Sequence, residues 1–365
     1  MPRINPKDIL RARSSANKAL LSLLPVCRDL RSARNEVKWM TEHALDIARR
    51  LDGAEPVQHA HILSNYVQRR AGGEPLQYIL GSEYFGELEI KCRPGVLIPR
   101  QETAASVTHL ARLLHKSASP LKVLDLCTGT GCIPLLFHNV FYSSRAAKGS
   151  SPPALDILGV DISSVALSLA RENLVHQIAS QAQKQATSQE QTRSLHRIGF
   201  VQADVSQTEK SLLPALARVS HLDEEDLPPS FDILISNPPY ISPSARLPRS
   251  VRLYEPELAL IPSSPSSSKL VRGDEFYPAL LNAADLVNAK ILLFEVGDLE
   301  QAKRVAGMAI RKGAWDTVEI WRDDPSHDAE EVLEIAGERV QVRGEGNGRS
   351  VVAFRGDGNG WIDSY

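Results

Sequence analysis

The residues best suited to chemistry form one short segment, Asn237-Pro238-Pro239-Tyr240. A planar amino group, as in an amide or an aromatic amine, is a poor nucleophile because conjugation ties up its lone pair. The Asn237 side-chain oxygen and the Pro238 carbonyl could accept both of its N–H bonds and orient it toward an electrophile. Proline stiffens the loop, and Tyr240 offers a flat ring. The segment therefore favours transfer to a planar nitrogen, with a plain turn as the alternative.

A buried strand must position this loop. Residues 231–236 contain a short apolar run that is β-branched at both ends, as is typical of a strand. The strand cannot continue past residue 237, because two consecutive prolines remove two ladder donors. In open α/β sheets, ligands bind at the carboxyl ends of the strands. The pattern thus predicts a site at the end of a central strand.

A glycine turn follows the apolar segment Val123–Leu126. Its residues are Cys127, Thr128, Gly129, Thr130 and Gly131. The glycines let backbone approach a ligand closely and expose N–H groups at the start of the next helix. The turn lacks both the third glycine of a dinucleotide fingerprint and the Gly-Lys-Ser/Thr of a phosphate-binding loop. Phosphate binding is therefore not favoured.

Acidic residues end the next two predicted strands. Asp161 follows the strand predicted over 157–160, where a carboxylate could accept both hydroxyls of a ribose. Capping of the following helix is the alternative for Asp161, with Ser163 or Ser164 as the other candidate cap. Asp204 ends the strand predicted from residue 199, and its carboxylate could accept from an adenine exocyclic amine.

The remaining pattern predicts the elements around these residues. Apolar spacing predicts helices over 32–51 and 56–70, which form a small helical domain. Residues 87–92 alternate strictly and predict a strand in a hairpin, with a domain boundary near residue 95. Beyond it, strands alternate with helices, which predicts an α/β domain with a mostly parallel sheet. Further strands are predicted at 291–296, 317–321 and 351–355.

The composition is that of an ordinary globular protein. The chain has 365 residues, long enough for two domains, of which 42% are hydrophobic and 24% charged. A net charge of -2 gives no case for non-specific nucleic-acid binding, and no apolar run approaches membrane-spanning length. No metal site is predicted, because the cysteines lack paired spacing, and they favour a reducing compartment. They are Cys27, Cys92, Cys127 and Cys132.

Three further features leave alternatives open. The first 34 residues carry eight basic and two acidic side chains with a leucine run at 20–24, which resembles a mitochondrial presequence or forms a basic first helix. The arginines after the loop contact an acidic or phosphate-rich partner or form a solvated face. They are Arg246, Arg249 and Arg252. Polar segments at 141–154, 177–195, 206–229 and 261–270 are assigned no function. For the segment 177–195, the alternatives are a polar extension of the helix and a disordered insert.

Several segments, in order, resemble the release-factor glutamine N(5)-methyltransferases of the HemK/PrmC family. They are Gly73–Gly81, Tyr84–Gly86, Val96–Thr103, Cys127–Gly131, Phe231–Tyr240, Tyr254–Pro256 and Leu293–Asp298. Asn-Pro-Pro-Tyr alone is shared with nucleic-acid amine methyltransferases, whereas Gln-Tyr-Ile-x-Gly and Leu-Ile-Pro-Arg are more specific. The chain departs from the family pattern at Gln101, where a proline is usual, and at Cys127, where glycine is common.

The resemblance implies a seven-stranded, Rossmann-like, S-adenosylmethionine-dependent methyltransferase sheet over 99–365. A helical substrate-recognition domain over 1–80 and a β-hairpin linker over 81–98 would precede it. Asp125 and the Cys127–Gly131 turn would hold the methionine part of the cofactor, Asp161 the ribose, and Asp204 with Val205 the adenine. Asn237, Pro238, Pro239 and Tyr240 would grip the substrate amide, with Asn237 also beside the cofactor.

The resemblance further implies direct transfer of a methyl group, without metal or covalent intermediate. The target would be the glutamine of the Gly-Gly-Gln motif in a class I peptide chain release factor. A mitochondrial release factor and a mitochondrial location are expected, with the cytoplasm as the alternative. No membrane and no stable nucleic-acid binding is expected. The rival functions are methylation of adenine or guanine amino groups and a non-catalytic binding role.

Overall fold

The computed structural model describes residues 4–50, 56–114, 119–144, 153–183, 188–220, 229–262 and 273–361. The chain divides into two compact units. The first comprises Met1–Ser82, Cys92–Pro94 and Arg246–Glu255, and the second comprises Glu83–Lys91, Gly95–Ala245 and Pro256–Tyr365. Among the helices in the described ranges, none is long and apolar enough to cross a membrane.

The first unit is helical. Its helices are α1 (Pro6–Ser14), α2 (Ala19–Cys27), α3 (Leu30–Arg50), α4 (Pro56–Ala71) and α5 (Leu76–Leu80). The helices predicted over 32–51 and 56–70 are confirmed as α3 and α4, apart from Leu51, which lies outside the described residues. A bidentate ion pair joins them, because Arg70 Nε and Nη2 donate to the Glu36 carboxylate at 2.7 and 3.0 Å.

The basic, leucine-rich N-terminal segment forms helices of this unit. Leu20, Leu23 and Leu24 of α2 are buried in one apolar cluster with Leu30 and Met40 of α3. The α2 leucines that face the core therefore follow helical spacing, while Leu21 is 44% exposed. In this structure the segment therefore folds as helices of the domain, which is the second of the two alternatives given for it above.

Replacing Leu23 with alanine should lower the free energy of unfolding by about 2–5 kcal/mol, because it opens a cavity at a fully buried position. Leu21→Ala, on the exposed side of the same helix, should change it by about 0.5 kcal/mol. Urea unfolding of both variants measures the difference. Equal, small effects of the two substitutions would show that α2 does not belong to the folded core.

A two-stranded hairpin joins β1 (Ser82–Phe85) and β2 (Leu88–Lys91). Leu88 and Ile90 are buried whereas Glu89 and Lys91 are exposed, so the predicted alternation is confirmed. The side chain of Asn173 holds β2 to the rest of the second unit: its Oδ1 accepts from Lys91 N at 2.7 Å.

The second unit is built on a large sheet. Its strands are β3 (Leu121–Leu126), β4 (Leu155–Asp161), β5 (Gly199–Gln202), β6 (Ile233–Ser236), β7 (Ile291–Glu295), β8 (Thr317–Asp324), β9 (Glu330–Ile335), β10 (Glu338–Arg343) and β11 (Glu345–Phe354). The helices after α5 are α6 (Gln101–Leu113), α7 (Cys132–Ser143), α8 (Ser164–Ala182), α9 (Gln189–Arg197), α10 (Leu213–Ser220), α11 (Arg249–Tyr254), α12 (Tyr277–Leu286), α13 (Leu299–Lys312) and α14 (Asp357–Gly360). Of these, α11 belongs to the first unit.

The sheet has the strand order β5-β4-β3-β6-β7-β11-β8-β10-β9. Strands β5, β4, β3, β6 and β7 are parallel, and β11 runs antiparallel to both β7 and β8. Asp125 of β3 lies opposite Gly159 of β4 and Ile235 of β6. The segments that follow β3, β4 and β6 therefore leave the sheet at the same edge, where the sequence predicts the site.

The seven predicted strands are all present, and the sheet has two further strands that the sequence analysis did not predict. The β9–β10 hairpin pairs with β8 and extends the edge. Its outer strand is mostly exposed and rich in glutamate, so it lacks the apolar alternation of a half-buried strand. Its turn has positive φ at Ala336 and Gly337, although alanine rarely marks such a turn.

Two of the polar segments contain helices that bury a few apolar side chains. Residues 177–195 contribute to the end of α8 and to α9, where Leu195 is buried, so the helix-extension interpretation holds for the described part. Residues 208–220 form a π-helical turn, Thr208–Leu212, and α10, where Leu212 and Leu216 are buried. Residues 145–152, 184–187, 221–228 and 263–272 lie outside the described residues.

Candidate active site

An open cleft of about 180 Å³ lies at the edge of the sheet where β3, β4, β5 and β6 end. Seven of the predicted site residues line it: Cys127, Gly129, Asp161, Asp204, Val205, Asn237 and Pro239. The predicted residues that do not line it are Asp125, Thr128, Thr130, Gly131, Pro238 and Tyr240. Most of its other walls are apolar and were not predicted, among them Val96, Ala166 and Phe276.

The glycine turn has the conformation that its sequence requires. Gly129 has a φ of +56° and nothing within 4 Å of where a Cβ would lie, so its backbone is open to the cleft. Gly131 has a φ of +74°, and a Cβ there would lie 2.9 Å from the Phe200 ring. Cys127 also has positive φ, at 65°, a conformation in which a glycine would be unstrained.

Cys127 is a thiol rather than a nucleophilic thiolate. Burial, together with the negative charge of Asp161, raises the pKa of Cys127 far above its ordinary value. A thiol that stays protonated is a poor nucleophile. The residue therefore shapes the turn and supplies no covalent chemistry. Among the residues that the structure describes, no cluster of three or more His, Cys, Asp or Glu side chains could hold a metal ion.

Asp161 joins the glycine turn to the start of α8. Its Oδ2 accepts from Gly129 N at 2.8 Å, and its Oδ1 accepts from Ser163 N at 2.9 Å. The helix cap is Ser163, whose hydroxyl accepts from Ala166 N, so Asp161 is not the cap. Burial raises the pKa of Asp161 although these N–H donors oppose it. Each carboxylate oxygen retains lone-pair capacity toward the cleft.

Asp204 is largely engaged by its own turn. Its Oδ1 accepts from Ser206 N and from the Ser206 hydroxyl at 2.9 and 2.6 Å, and its Oδ2 accepts from Gln207 at 2.8 Å. Burial acts against the charged form, but these hydrogen bonds hold the pKa of Asp204 below its ordinary value. The carboxylate therefore organises the loop after β5, and Oδ2 keeps some acceptor capacity for a ligand.

Asp125 is the most strongly perturbed acid beside the turn. It is fully buried in β3, and the neighbouring Thr128 hydroxyl is the side-chain group that partly offsets the effect of this burial. Burial raises the pKa of Asp125 well above its ordinary value, and the nearby charge of Asp161 adds to this shift. A buried acid with so little hydrogen bonding is costly to the fold when it is ionised.

This burial predicts a pH-dependent effect of Asp125→Asn. Because the folded-state pKa is raised, the contribution of Asp125 to stability is present at low pH and is lost as pH rises through that pKa. The near-isosteric amide never ionises, so the variant should gain stability relative to the parent chain as pH rises. Urea unfolding at pH 5.5 and 8.5 tests this, with Asp46→Asn on exposed α3 as the control. A difference that does not grow with pH would contradict it.

The Asn237 side chain belongs to a hydrogen-bonded chain beneath the loop. Its Nδ2 donates to Thr103 Oγ1 at 3.3 Å, and the Thr103 hydroxyl donates to Glu295 Oε2. Tyr240 OH donates to Glu295 Oε1 at 3.0 Å. Tyr240 is thus fixed by its hydroxyl rather than left as a free ring, and burial together with Glu295 raises its pKa. Pro238 is buried beside it.

The far end of the loop is fixed to the start of α13. Gln301 Nε2 donates to the Tyr240 carbonyl at 3.2 Å and to the Gly273 carbonyl at 3.1 Å. A Cβ at Gly273 would lie 2.1 Å from the Tyr240 oxygen, so only glycine fits there. Asp274 accepts from both Gln301 and Arg304, which holds the glutamine in place. The loop is therefore rigid at both ends.

Thr103 and Glu295 are the polar residues that the sequence analysis missed. Both lie in segments that resemble the family, but neither received a role. The available signal was a glutamate at the end of the apolar strand β7, a place where an acid is costly unless it is partnered. Their contact joins positions 192 residues apart, so no local pattern could reveal it.

The strand order, with β11 antiparallel between β7 and β8, and the cleft at the parallel strand ends define a Rossmann-like α/β fold with a ligand site at the carboxyl edge of its sheet. A family model described as "PrmC N-terminal domain" matches residues 27–81. The chain is 33% identical to the probable MRF1 mitochondrial N(5)-glutamine methyltransferase mtq1 of Schizosaccharomyces pombe, over 84% of this chain and 89% of that protein. The chain belongs to the release factor glutamine methyltransferase family.

Two further relatives agree with this assignment. The mitochondrial MRF1 N(5)-glutamine methyltransferase MTQ1 of Saccharomyces cerevisiae is 31% identical over 82% of this chain and 78% of its own length. A release factor glutamine methyltransferase of Thermodesulfovibrio yellowstonii is 29% identical over 73% of this chain and 78% of its own length. The family and the enzyme class predicted from the sequence are confirmed. Family and fold together imply S-adenosylmethionine as the methyl donor.

The residues of the cleft fit such a donor. S-adenosylmethionine combines a ribose diol, a flat purine and a positively charged sulfonium with an amino-acid end. The cleft offers an acid at the end of β4, apolar walls and an open glycine backbone. Asp125 is a further acid beside the turn, although it is buried and does not line the cleft itself.

Proposed function

We propose that this chain transfers a methyl group from S-adenosylmethionine to the side-chain amide nitrogen of a glutamine. The target is the glutamine of the Gly-Gly-Gln motif in a class I peptide chain release factor. The observation that carries the proposal is the setting of Asn237, which lines the cleft while its Nδ2 is engaged by Thr103. That arrangement leaves Oδ1 as the group that Asn237 offers to an incoming amino group.

The donor would be held by residues around the cleft. Asp161 accepts from the ribose hydroxyls, and the Cys127–Gly131 turn with Asp125 holds the methionine part. Val205 and the remaining capacity of Asp204 contact the adenine. When bound, S-adenosylmethionine supplies an electrophilic methyl group on its sulfonium. The walls of the cleft are mostly apolar, which lowers the local polarity and strengthens the polar interactions made there.

The acceptor amide would be oriented by the loop. Asn237 Oδ1 and the Pro238 carbonyl accept the two N–H bonds of the glutamine, which holds its nitrogen in one orientation. Pro239 keeps the loop stiff, and Tyr240 fixes its end through Glu295. The protonated state of Cys127 argues against a covalent route through that thiol. The residues therefore contribute mainly by positioning.

The relatives support a mitochondrial setting. Two of them carry names that place them in mitochondria and name MRF1 as their substrate. We infer that the partner of this chain is a mitochondrial release factor and that the chain functions in mitochondria. Fractionation of cells that express the tagged chain tests this inference. Recovery in the cytosol alone would reject it.

The proposal also assigns a separate role to each of three regions of the chain. Residues 1–80 would recognise the release factor, 81–98 would link, and 99–365 would carry the methyltransferase site. The match of the family model to residues 27–81 supports an assignment of this kind. Arg249 and Arg252 are exposed on α11 of the first unit, so their pairing with acidic groups of the release factor is part of this proposal.

A competition assay distinguishes the proposed substrate from its rivals. The chain is incubated with methyl-labelled donor, an intact class I release factor and adenine- and guanine-containing nucleic acid. Label on the release factor alone supports the proposal. Label on the nucleic acid would establish the amine-methylating alternative, and donor binding without transfer to either would favour a binding protein.

A further inference from the structure

We propose that Glu295 and Thr103 set the direction of the Asn237 amide and so make the site select a glutamine amide over a carboxylate. This inference rests on the proposed function, because it concerns which atom of the Asn237 amide, Oδ1 or Nδ2, faces the substrate. Neither residue touches the reacting atoms in this scheme. They are positioning residues that act through Asn237.

Glu295 ends β7 and is only 4% exposed. It accepts at both oxygens: Oε2 from the Thr103 hydroxyl and Oε1 from Tyr240 OH at 3.0 Å. An ionised carboxylate can only accept, so both hydroxyls must turn their protons toward it. The carboxylate thereby determines where the single proton of Thr103 points.

The direction of the Thr103 proton determines the orientation of the Asn237 side-chain amide. Because the Thr103 proton is used by Glu295, Thr103 Oγ1 can only accept from Asn237. Only Nδ2 can donate to it, and the observed separation is 3.3 Å. If the amide turned over, two oxygen acceptors would face each other without a proton between them. The alternative amide orientation is therefore disfavoured, although its shape is almost the same.

Other groups fix the backbone of Glu295 and act on the ionisation of its carboxyl group. Tyr277, fully buried in α12, donates its hydroxyl to the Glu295 carbonyl at 2.9 Å. Burial raises the pKa of Glu295, but the hydrogen bonds from Thr103 and Tyr240 and the charge of Arg349 favour its ionised form. Glu102 of α6 is the other charged group that acts on it, with the opposite sign.

The orientation of the Asn237 amide affects which substrate side chain the site can bind. Under the proposed function, the site presents two acceptors to the substrate: Oδ1 of Asn237, which lines the cleft, and the carbonyl of the adjacent Pro238. A glutamine NH₂ can donate to both, whereas a glutamate carboxylate would bring two more acceptors and no proton. A site built in this way rejects the acid through unpaired, buried polar groups rather than through size.

Thr103→Val tests the inference, because it removes the hydroxyl and keeps the shape. The full chain is used, with an intact release factor as substrate and the same factor carrying Gln→Glu in its Gly-Gly-Gln motif as competitive inhibitor. In Thr103→Val, kcat/KM should fall about 10- to 100-fold, as expected when one buried hydrogen bond no longer holds the amide. The Ki for the glutamate factor should not rise in parallel, so the glutamine preference should drop at least about tenfold.

Matched variants separate this role from general damage. Thr103→Ser retains the hydroxyl and should restore the preference for glutamine. Thr108→Val, which removes a hydroxyl elsewhere on α6, should leave activity and preference unchanged. If Thr103→Val does not fold, Thr103→Ala replaces it, because it also removes the hydroxyl that holds the Asn237 amide, and the preference should again fall.

The outcomes are distinct. An unchanged preference for glutamine in a folded Thr103→Val or Thr103→Ala variant would overturn the inference, and so would a loss of preference that Thr103→Ser does not repair. If the parent chain itself does not methylate the release factor, the proposed function fails first. An active parent chain with an insensitive Thr103→Val variant refutes the positioning role alone.

Discussion

Asn237→Ala should lower kcat for methyl transfer by on the order of 10²- to 10³-fold, the usual cost of removing one preorganised polar group from a catalytic site. The variant loses the oxygen that accepts a substrate N–H, while the Pro238 carbonyl remains. Because the side chain also lines the cleft, the Kd for S-adenosylmethionine should change, but by less than about tenfold. The effect on catalysis should therefore greatly exceed the effect on donor binding.

Single-turnover experiments measure the rate of methyl transfer, and titration calorimetry measures the Kd for S-adenosylmethionine. The matched control is Ser244→Ala, a small polar residue farther along the same loop whose hydroxyl contacts Ser242. It should transfer methyl groups at the rate of the parent chain. A near-normal rate in Asn237→Ala would exclude the loop as the device that orients the acceptor, whatever the affinity for the donor.

Asp161→Ala should weaken S-adenosylmethionine binding by on the order of 10²-fold, about 3 kcal/mol, because charged hydrogen bonds of about 1.5–3 kcal/mol each are lost. Two effects combine. The carboxylate would no longer accept from the ribose, and Gly129 N would lose the acceptor that organises the glycine turn. The maximal rate with saturating donor should fall much less than the affinity, since Asp161 does not contact the acceptor in the proposed site.

Asp156→Ala is the control for this prediction. Asp156 lies on the same strand, β4, near the end opposite the cleft, and pairs with Arg197 at the surface. Its loss should leave the Kd for the donor unchanged. An equal affinity for the donor in Asp161→Ala and the parent chain would show that the donor does not bind at the end of β4.

The strands and loop at the centre of the site could be predicted because local physics determines them. The apolar run before Asn237 is terminated by two prolines, and the structure has β6 ending at Ser236. The acid at the end of β4 and the positive φ values of the glycine turn likewise follow from residue type and position. These features depend on neighbours within a few residues along the chain.

The remaining features depend on contacts between distant segments. The pairing of Thr103 with Glu295 spans 192 residues, and only the fold brings them together. The Asp204 carboxylate was predicted to accept a hydrogen bond from a ligand. In the structure, most of its acceptor capacity is used by Ser206 and Gln207 of its own turn. The β9–β10 hairpin escaped prediction because an exposed edge strand needs little apolar alternation. Local pattern thus predicts where groups lie better than which partners they have.

The measurement that tests the central claim most directly is mass spectrometry of a class I release factor incubated with this chain and S-adenosylmethionine. The peptide that contains Gly-Gly-Gln should gain one methyl group, which fragmentation should assign to the glutamine side chain. A release factor with Gln→Ala in the motif should give no such gain, and the chain with Asn237→Ala should give almost none in the time that the parent chain needs to complete the reaction. A methyl on another residue, or none despite measured donor binding, would contradict the account.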